Sequence, residues 1–301
     1  MPKKFNTNGL CYPDKHYMVD LNGRLSQIKN RIDHGNYFVF NRARQYGKTT
    51  FLRALKEYLH PDYITISMSF QKMSTAKFRD EAIFAQTFAR NFIKKAEDEA
   101  QKNQLSQKSL DNLEAMQKDE RISFDLTELF EGLSEICGTA QKPIVLMVDE
   151  VDQASNNQVF LDFLAQLRNY YLERDTLGTQ TFHSVILAGV CDVKNMRRKL
   201  RPDDAHKTNS PWNIATRFKV DMSFSQDDIA GMLRSYEADR HTGMDIGSIA
   251  GLLFHYTSGY PYLVSALCKL IDEDVAQSDA FRTKSPWTSD GFFAAERMLL
   301  S

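Results

Sequence analysis

Two short stretches carry residue types that could act together on a phosphate. The first is Asn41-Arg42-Ala43-Arg44-Gln45-Tyr46-Gly47-Lys48-Thr49-Thr50. An apolar run, Tyr37 to Phe40, leads into it, and an amphipathic stretch, FLRALKEYL, follows. Strand, turn, Gly-Lys-Thr and helix in that order is the setting of a phosphate-binding loop. The backbone N–H groups of such a loop and of the helix start converge on one anion. Gly47 lets the backbone approach without a Cβ in the way. Lys48 would reach the β- and γ-phosphates as a point charge, and the Thr49 hydroxyl would hold Mg²⁺. Arg44, Gln45, Tyr46 and Thr50 complete the candidate phosphate-binding stretch. The full pattern also asks for glycine where Arg42 stands.

The second stretch is Pro143-Ile-Val-Leu-Met-Val-Asp149-Glu150. An uninterrupted apolar run ending in two acids reads as a buried parallel strand with carboxylates at its tip. Ligands of open α/β sheets bind at that end of the strands. Asp149 is the candidate Mg²⁺ residue, and Glu150 is the candidate general base that polarises an attacking water. Acids also cap strands where loops begin, so either stretch alone is ambiguous; both in one α/β frame point to a nucleoside triphosphate. Asp152 reads equally as a further metal-shell residue or as an N-cap.

Composition narrows the rest. The chain has 301 residues with 38 Lys and Arg against 39 Asp and Glu, so there is no global basic field for nucleic acid. Cys11, Cys137, Cys191 and Cys268 are widely spaced, which argues against zinc or a disulfide framework and fits reduced thiols in the cytoplasm. The first residues, MPKKFNTNGL, lack the apolar segment of a signal peptide, and no apolar run approaches membrane-spanning length.

The elements that must position these residues follow from periodicity. A helix is expected over Leu21–Ile32, where it could cover one side of a base or cap the sheet edge. Strands are expected at Tyr63–Phe70, His183–Val190 and Phe218–Phe224, and helices at Phe78–Glu99, Phe124–Ile136 and Val159–Arg174. Residues 100–122, rich in Gln, Lys and Asn, read as an exposed insertion, helical or mobile. The tip of the 183–190 strand would lie beside the γ-phosphate, which makes Asp192 and Asn195, with Cys191, candidate sensors. Arg197 and Arg198, in the basic stretch 194–207, and Arg217 are arginine-finger candidates; the same stretch could meet a nucleic-acid backbone or simply be solvated. From Ser225 the pattern is helical, with Asp228 placed for a capping box. Helices to about Arg240, over Ile246–Tyr256 and over Pro261–Glu273 form a small lid, Gly259 closing one and Pro261 opening the next. The expected division is a core over 1–224 and a helical lid over 225–301. A last apolar helix over residues 286–301 suggests a further C-terminal region.

Together these pieces resemble the bacterial predicted AAA-type ATPases, close to the archaeal-type and signal-transduction branch of P-loop proteins. The resemblance rests on Asn41–Thr50, Ile144–Asp152, Val185–Val190, Ser210-Pro-Trp-Asn-Ile-Ala215 and Thr257-Ser-Gly-Tyr-Pro-Tyr262. It covers nearly the whole chain. In that family an Arg-x-Arg-x-aromatic-Gly-Lys-Ser/Thr loop is usual, so Arg42 is a family trait. The resemblance implies ATP, Mg²⁺ and a five-stranded parallel sheet flanked by helices, with one strand between those of the loop and of Asp149-Glu150. It implies that Gly259 and Pro261 lie near the adenine. Similar proteins often continue into a nuclease-like domain, whose motifs are not recognisable here.

Three functions compete. One is an ATPase that couples hydrolysis to movement of the lid or of a partner domain. Another is a slow nucleotide-gated switch binding ATP or ADP, acting as a homo-oligomer or on a C-terminal partner. The third is a DNA-processing or defence ATPase, supported only by the basic stretch. No Asn-Lys-x-Asp motif for guanine is present, which disfavours a GTPase.

Overall fold

A computed structural model describes residues 2–190, apart from Asn103, Glu120, Ile122, Ser155 and Asn156, and residues 220–301. The chain divides into two compact units. A sheet unit comprises Gln27–Ala43 and Ala54–Lys219; a helical unit comprises Met1–Ser26, Arg44–Arg53 and Val220–Ser301. The division falls within α1 (Asn22–Asp33) and within α2 (Lys48–Leu59).

In the sheet unit, four strands are present among the described residues: β1 (Phe38–Asn41), β2 (Ile64–Ser69), β3 (Ile144–Asp149) and β4 (Ser184–Gly189). They pair in parallel in the order β1-β4-β3-β2. β4 therefore lies between the strand that feeds the loop and the strand that ends in Asp149, as the resemblance implies. Every residue of β3 and of β4 is buried, which is why both are apolar throughout except for Asp149 at the end of one and Ser184 at the start of the other. Of the expected fifth strand, Phe218 and Lys219 lie outside the described residues, and Val220–Phe224 form no strand.

Helices α3 (Glu81–Gln101), α4 (Gln107–Lys118), α5 (Leu126–Thr139) and α6 (Gln158–Leu177) join the sheet in one core. Phe70, Phe84, Phe88, Phe160 and Phe163 meet there edge to face or tilted, geometries that suit the quadrupole of the rings. Local signals start the helices. Asp80 caps α3 by accepting from the Ile83 N–H, and Asp125 with Glu128 makes a capping box on α5. The expected exposed insertion is corrected here. Within residues 100–122, α4 is a packed helix whose Leu110 and Leu113 lie in the core, 1% and 0% exposed. Gly132 of α5 makes the room, for a Cβ there would lie 2.6 Å from Leu113 Cδ1. The polar composition hid a short apolar stripe, Leu110, Leu113 and the half-buried Met116.

The helical unit contains α7 (Gln226–Arg240), α8 (Ile246–Thr257), α9 (Pro261–Glu273) and α10 (Ser289–Leu300). Ser225 and Asp228 form the expected capping box on α7, and Pro261 opens α9. The N-terminal segment joins this core: Phe5 and Tyr17 meet Tyr236 at ring separations of 5.1 Å, and Tyr236 meets Trp287 at 4.7 Å. Arg24 donates to the carbonyls of Asp221 and Ser223 and to the Asp228 carboxylate, at 2.8, 2.9 and 2.7 Å. That one guanidinium holds the chain entering α7 against the start of α1. Among the described residues no helix is long and apolar enough to cross a membrane. Of the described cysteines, Cys268 is buried while Cys11 and Cys137 are half-buried; all three are free thiols.

Candidate functional site

At the carboxyl edge of the sheet, Asn41 of β1 is level with Gly189 of β4, and Val148 of β3 is level with Leu187. Carried one residue further, that register puts Asp149 within one residue of the level of Asn41. Two strand spacings separate the tips, roughly 10 Å. The chain leaving β1 crosses beside β4, where the Arg42 N–H donates to the Gly189 carbonyl at 3.0 Å.

The acids occupy a tight turn after β3. Asp149 is 6% exposed, and its Oδ1 accepts from the Glu150 N–H at 2.8 Å. Glu150 has a φ of 58°, in the left-handed region that a side chain with a Cβ rarely adopts. Its carbonyl accepts from the Gln153 N–H at 3.2 Å, which closes the turn. Asp152 neither caps α6, whose N-cap is Asn157, nor points away from the sheet. Its carboxylate accepts from the Val190 N–H at 2.6 Å and lies so close to Gly189 that a Cβ there would meet Oδ2 at 2.9 Å. Asp152 thereby ties the Asp149-Glu150 turn to the exit of β4. The sensor candidates Asp192 and Asn195, with Cys191, begin just past that exit and lie outside the described residues. So do Arg197, Arg198 and Arg217, the basic stretch 194–207, and the Ser210–Ala215 motif.

In the helical unit, the loop is fixed at both ends of its glycine. Gln45 and Gly47 have φ values of 64° and 71°, and the Phe51 N–H donates to the Gly47 carbonyl at 2.9 Å as α2 begins. Arg44, Gln45, Gly47 and Thr49 are exposed, Tyr46 and Thr50 half-buried, and Lys48 buried. The Thr50 hydroxyl accepts from the Cys11 N–H at 3.1 Å, and the Arg53 guanidinium lies 4.1 Å from the Tyr12 ring centre. The N-terminal segment therefore runs along the first turn of the loop helix. Gly259 has a φ of 71°, and Pro261 is buried at the start of α9. Between them, Tyr260 reaches back to the loop. Its hydroxyl donates to the Arg44 carbonyl at 3.0 Å, with Gln45 Oε1 at 3.2 Å, and its ring lies 4.8 Å from that of Tyr46. Burial, then the neighbouring Tyr46 and Tyr262 phenols, push the Tyr260 pKa up, so the hydroxyl stays protonated and can donate.

The sequence singles out the loop, the acids and the Gly259–Pro261 turn, but not Tyr260 and Cys11 as neighbours of the loop and of the helix it opens. Tyr260 stood in view inside Gly-x-Pro, but no spacing rule links it to Arg44, 216 residues away. The candidate metal donors are oxygens, the Thr49 hydroxyl and the Asp149 carboxylate. Oxygen donors suit Mg²⁺, which is usually held by one or two carboxylates together with substrate phosphates. Among the described residues no group of three or more His, Cys, Asp or Glu side chains could cage a metal alone, and an ion that arrives with a phosphate needs none.

Residues 19–295 match the AAA-like domain family. The chain belongs to that family. No curated protein matches it. Among solved structures, the ADPNP–ADP complexes of the ORC2 protein of Aeropyrum pernix are similar to this AAA-like chain, with a TM-score of 0.54 at 10% identity, covering 98% of this chain and 70% of that one. CDC6P from Pyrobaculum aerophilum is similar with a TM-score of 0.50 at 14% identity, again covering 98% and 70%. At such identities the likeness is one of fold. Family and fold together make this an AAA-type P-loop protein of the nucleotide-binding class, as the motif resemblance implies.

Proposed function

We propose that this AAA-like protein binds ATP and hydrolyses it with Mg²⁺. The observation that carries the reading is the parallel order β1-β4-β3, in which the strand whose sequence continues into Gly-Lys-Thr and the strand that ends at Asp149 have their carboxyl tips at the same edge of the sheet. Open α/β sheets bind ligands at that edge.

In this reading the N–H groups of Arg44 to Thr50 and the start of α2 bind the phosphates, and Lys48 adds a full positive charge. Thr49 and Asp149 hold Mg²⁺, which when bound neutralises charge developing on the phosphates. Glu150 orients and polarises the attacking water. Its left-handed backbone, at φ 58°, fixes the direction in which the carboxylate leaves the sheet. Gly259 and Pro261 lie near the adenine, and Asp192 or Asn195 senses the γ-phosphate. One of Arg197, Arg198 and Arg217 acts as the finger, in cis or from a second copy. ATP turnover drives movement of the helices or of a partner domain. The ORC2 likeness supports the reading, since that structure is described as an ADPNP–ADP complex.

The test compares wild type, Lys48→Ala and Glu150→Gln for ATP binding and steady-state hydrolysis with Mg²⁺. Lys48→Ala is expected to lose binding, and Glu150→Gln to bind without turning over. Absence of ATP binding by the wild type would overturn the proposal. Tight binding without wild-type turnover would replace the ATPase with a nucleotide-gated switch.

A further inference from the structure

The turn from Thr257 to Tyr260 is held more firmly than a helix-to-helix connection requires. Its Gly259 N–H donates to Thr257 Oγ1 at 3.1 Å, and its Tyr260 N–H to the Thr257 carbonyl at 2.9 Å. The Phe224 N–H donates to the Gly259 carbonyl at 2.8 Å, and the two backbones lie too close for any side chain at 259. What this rigid turn presents is the Tyr260 phenol. A hydroxyl has one proton to give, and here the Arg44 carbonyl and Gln45 Oε1 share it, at 3.0 and 3.2 Å.

The loop needs such support. Gln45 is left-handed without being glycine, a conformation that persists only when its surroundings impose it. The peptide from Arg44 to Gln45 is planar and trans. With its carbonyl turned toward Tyr260, its N–H must face the opposite side. A loop that binds anions through its N–H groups needs that orientation set, and set before the ligand arrives. The Tyr46 ring, 4.8 Å from that of Tyr260, adds a second contact on the residue preceding Gly47.

We infer that Tyr260 is a positioning residue for the phosphate-binding loop: its hydroxyl fixes the Arg44–Gln45 peptide, so the helical unit sets how much of the protein is ready to bind nucleotide. The consequence for affinity rests on the ATP reading above, whereas the effect on the loop does not. Loss of the hydroxyl would leave a smaller binding-competent fraction, and apparent affinity falls by that fraction. One neutral hydrogen bond corresponds to about a five-fold change, or ~1 kcal/mol. Because the loss is paid equally before and during the reaction, KM for ATP should rise, by about five-fold at most, with kcat unchanged.

The experiment uses the full chain as wild type, Tyr260→Phe and Tyr260→Ala. Hydrogen exchange is read on peptides covering residues 42–50 without nucleotide, and ATP affinity and turnover are measured alongside. Tyr260→Phe, which keeps the ring, should speed exchange of the loop about five-fold and leave α7–α10 protected as in wild type. Tyr260→Ala should exceed it. Unchanged exchange of the loop in Tyr260→Phe would overturn the inference, as would unaltered KM in an active enzyme. Faster loop exchange in a protein whose wild type binds no ATP would uphold the support of the loop and remove the nucleotide reading instead.

Discussion

Replacing Gly259 with alanine should be among the most damaging single-methyl additions in the helical unit. A Cβ at that position would lie 2.0 Å from the Phe224 carbonyl oxygen and 3.0 Å from its carbonyl carbon and its nitrogen. Favourable carbon contacts lie near ~3.5 Å, so the two backbones would have to separate by roughly 1.5 Å. That displacement breaks the Phe224 N–H bond to the Gly259 carbonyl, 2.8 Å long, which is worth about 1 kcal/mol. The φ of 71° adds about 1–2 kcal/mol for any residue with a Cβ. The sum, about 2–3 kcal/mol, is a large share of a typical domain's stability and should lower Tm by about 5–10 °C. Gly243 is the control: its φ is 72°, but nothing lies within 4 Å of its Cβ position. Gly243→Ala therefore carries the backbone penalty without the clash. Thermal and urea unfolding of both variants decide the matter. A Gly259→Ala protein no less stable than Gly243→Ala would refute the reasoning, because the close approach of Phe224 would then cost nothing.

Leu113→Ala should destabilise the sheet unit by about 2–5 kcal/mol, the cost of emptying a fully buried leucine site, whereas a change below ~0.5 kcal/mol in urea unfolding would return α4 to the surface. Arg24→Ala should cost about 1.5–3 kcal/mol at neutral pH through its bond to the Asp228 carboxylate. Burial alone would raise the Asp228 pKa, but hydrogen bonds from Arg24 and from the Ser225 N–H bring it below the unfolded value of 3.8. The stabilisation is thus full above that value and lost as pH falls through the folded one; a wild-type-to-variant gap that stays constant down to the most acidic pH studied would refute the coupling. At position 150, glycine should be more stable than alanine by about 1 kcal/mol, the reverse of the usual order, because only glycine relieves the left-handed backbone. Both variants should lose turnover, and an alanine variant at least as stable as the glycine one in chemical denaturation would remove the strain.

The parts of the fold that could be read in advance were those dictated by one strong local pattern. Ile144–Asp149 and Ser184–Gly189 are buried on both faces, so Ile144–Val148 and Val185–Gly189 are unbroken apolar runs and the strands fell within a residue or so of expectation. The loop was legible because Gly-Lys-Thr must follow a strand and open a helix to be useful. Residues 107–118 were misread because a helix that offers only two leucines and a methionine to a core looks polar when averaged over a window. Asp152 was left between two local roles, and its partner is the Val190 N–H, a tertiary contact that no local rule selects. The join of the N-terminal segment to α7 through Phe5 and Tyr17 was illegible for the same reason. Aromatic residues announce burial, but not the partner they are buried against.

The backbone conformations separate ordinary local structure from something more particular. Among the described residues, the non-glycine positions with positive φ are Gln45, Glu150, His241 and Ser258. His241 and Ser258 are the C-caps of α7 and α8, each donating its N–H four residues back, and the left-handed region is where helices commonly end. They need no functional account. Gln45 and Glu150 end no helix, and each costs on the order of 1 kcal/mol that glycine would avoid. One lies in the loop that precedes Lys48, and the other is the candidate base itself. Strain of this kind survives selection for stability only where the geometry it imposes is worth keeping. Tyr260 braces the first. The hydrogen bonds from the Glu150 N–H to Asp149 and from the Gln153 N–H to Glu150 brace the second. A positive-φ side chain with its own set of supports thus occurs in each of the two stretches picked out by residue chemistry alone, once in the helical unit and once in the sheet unit.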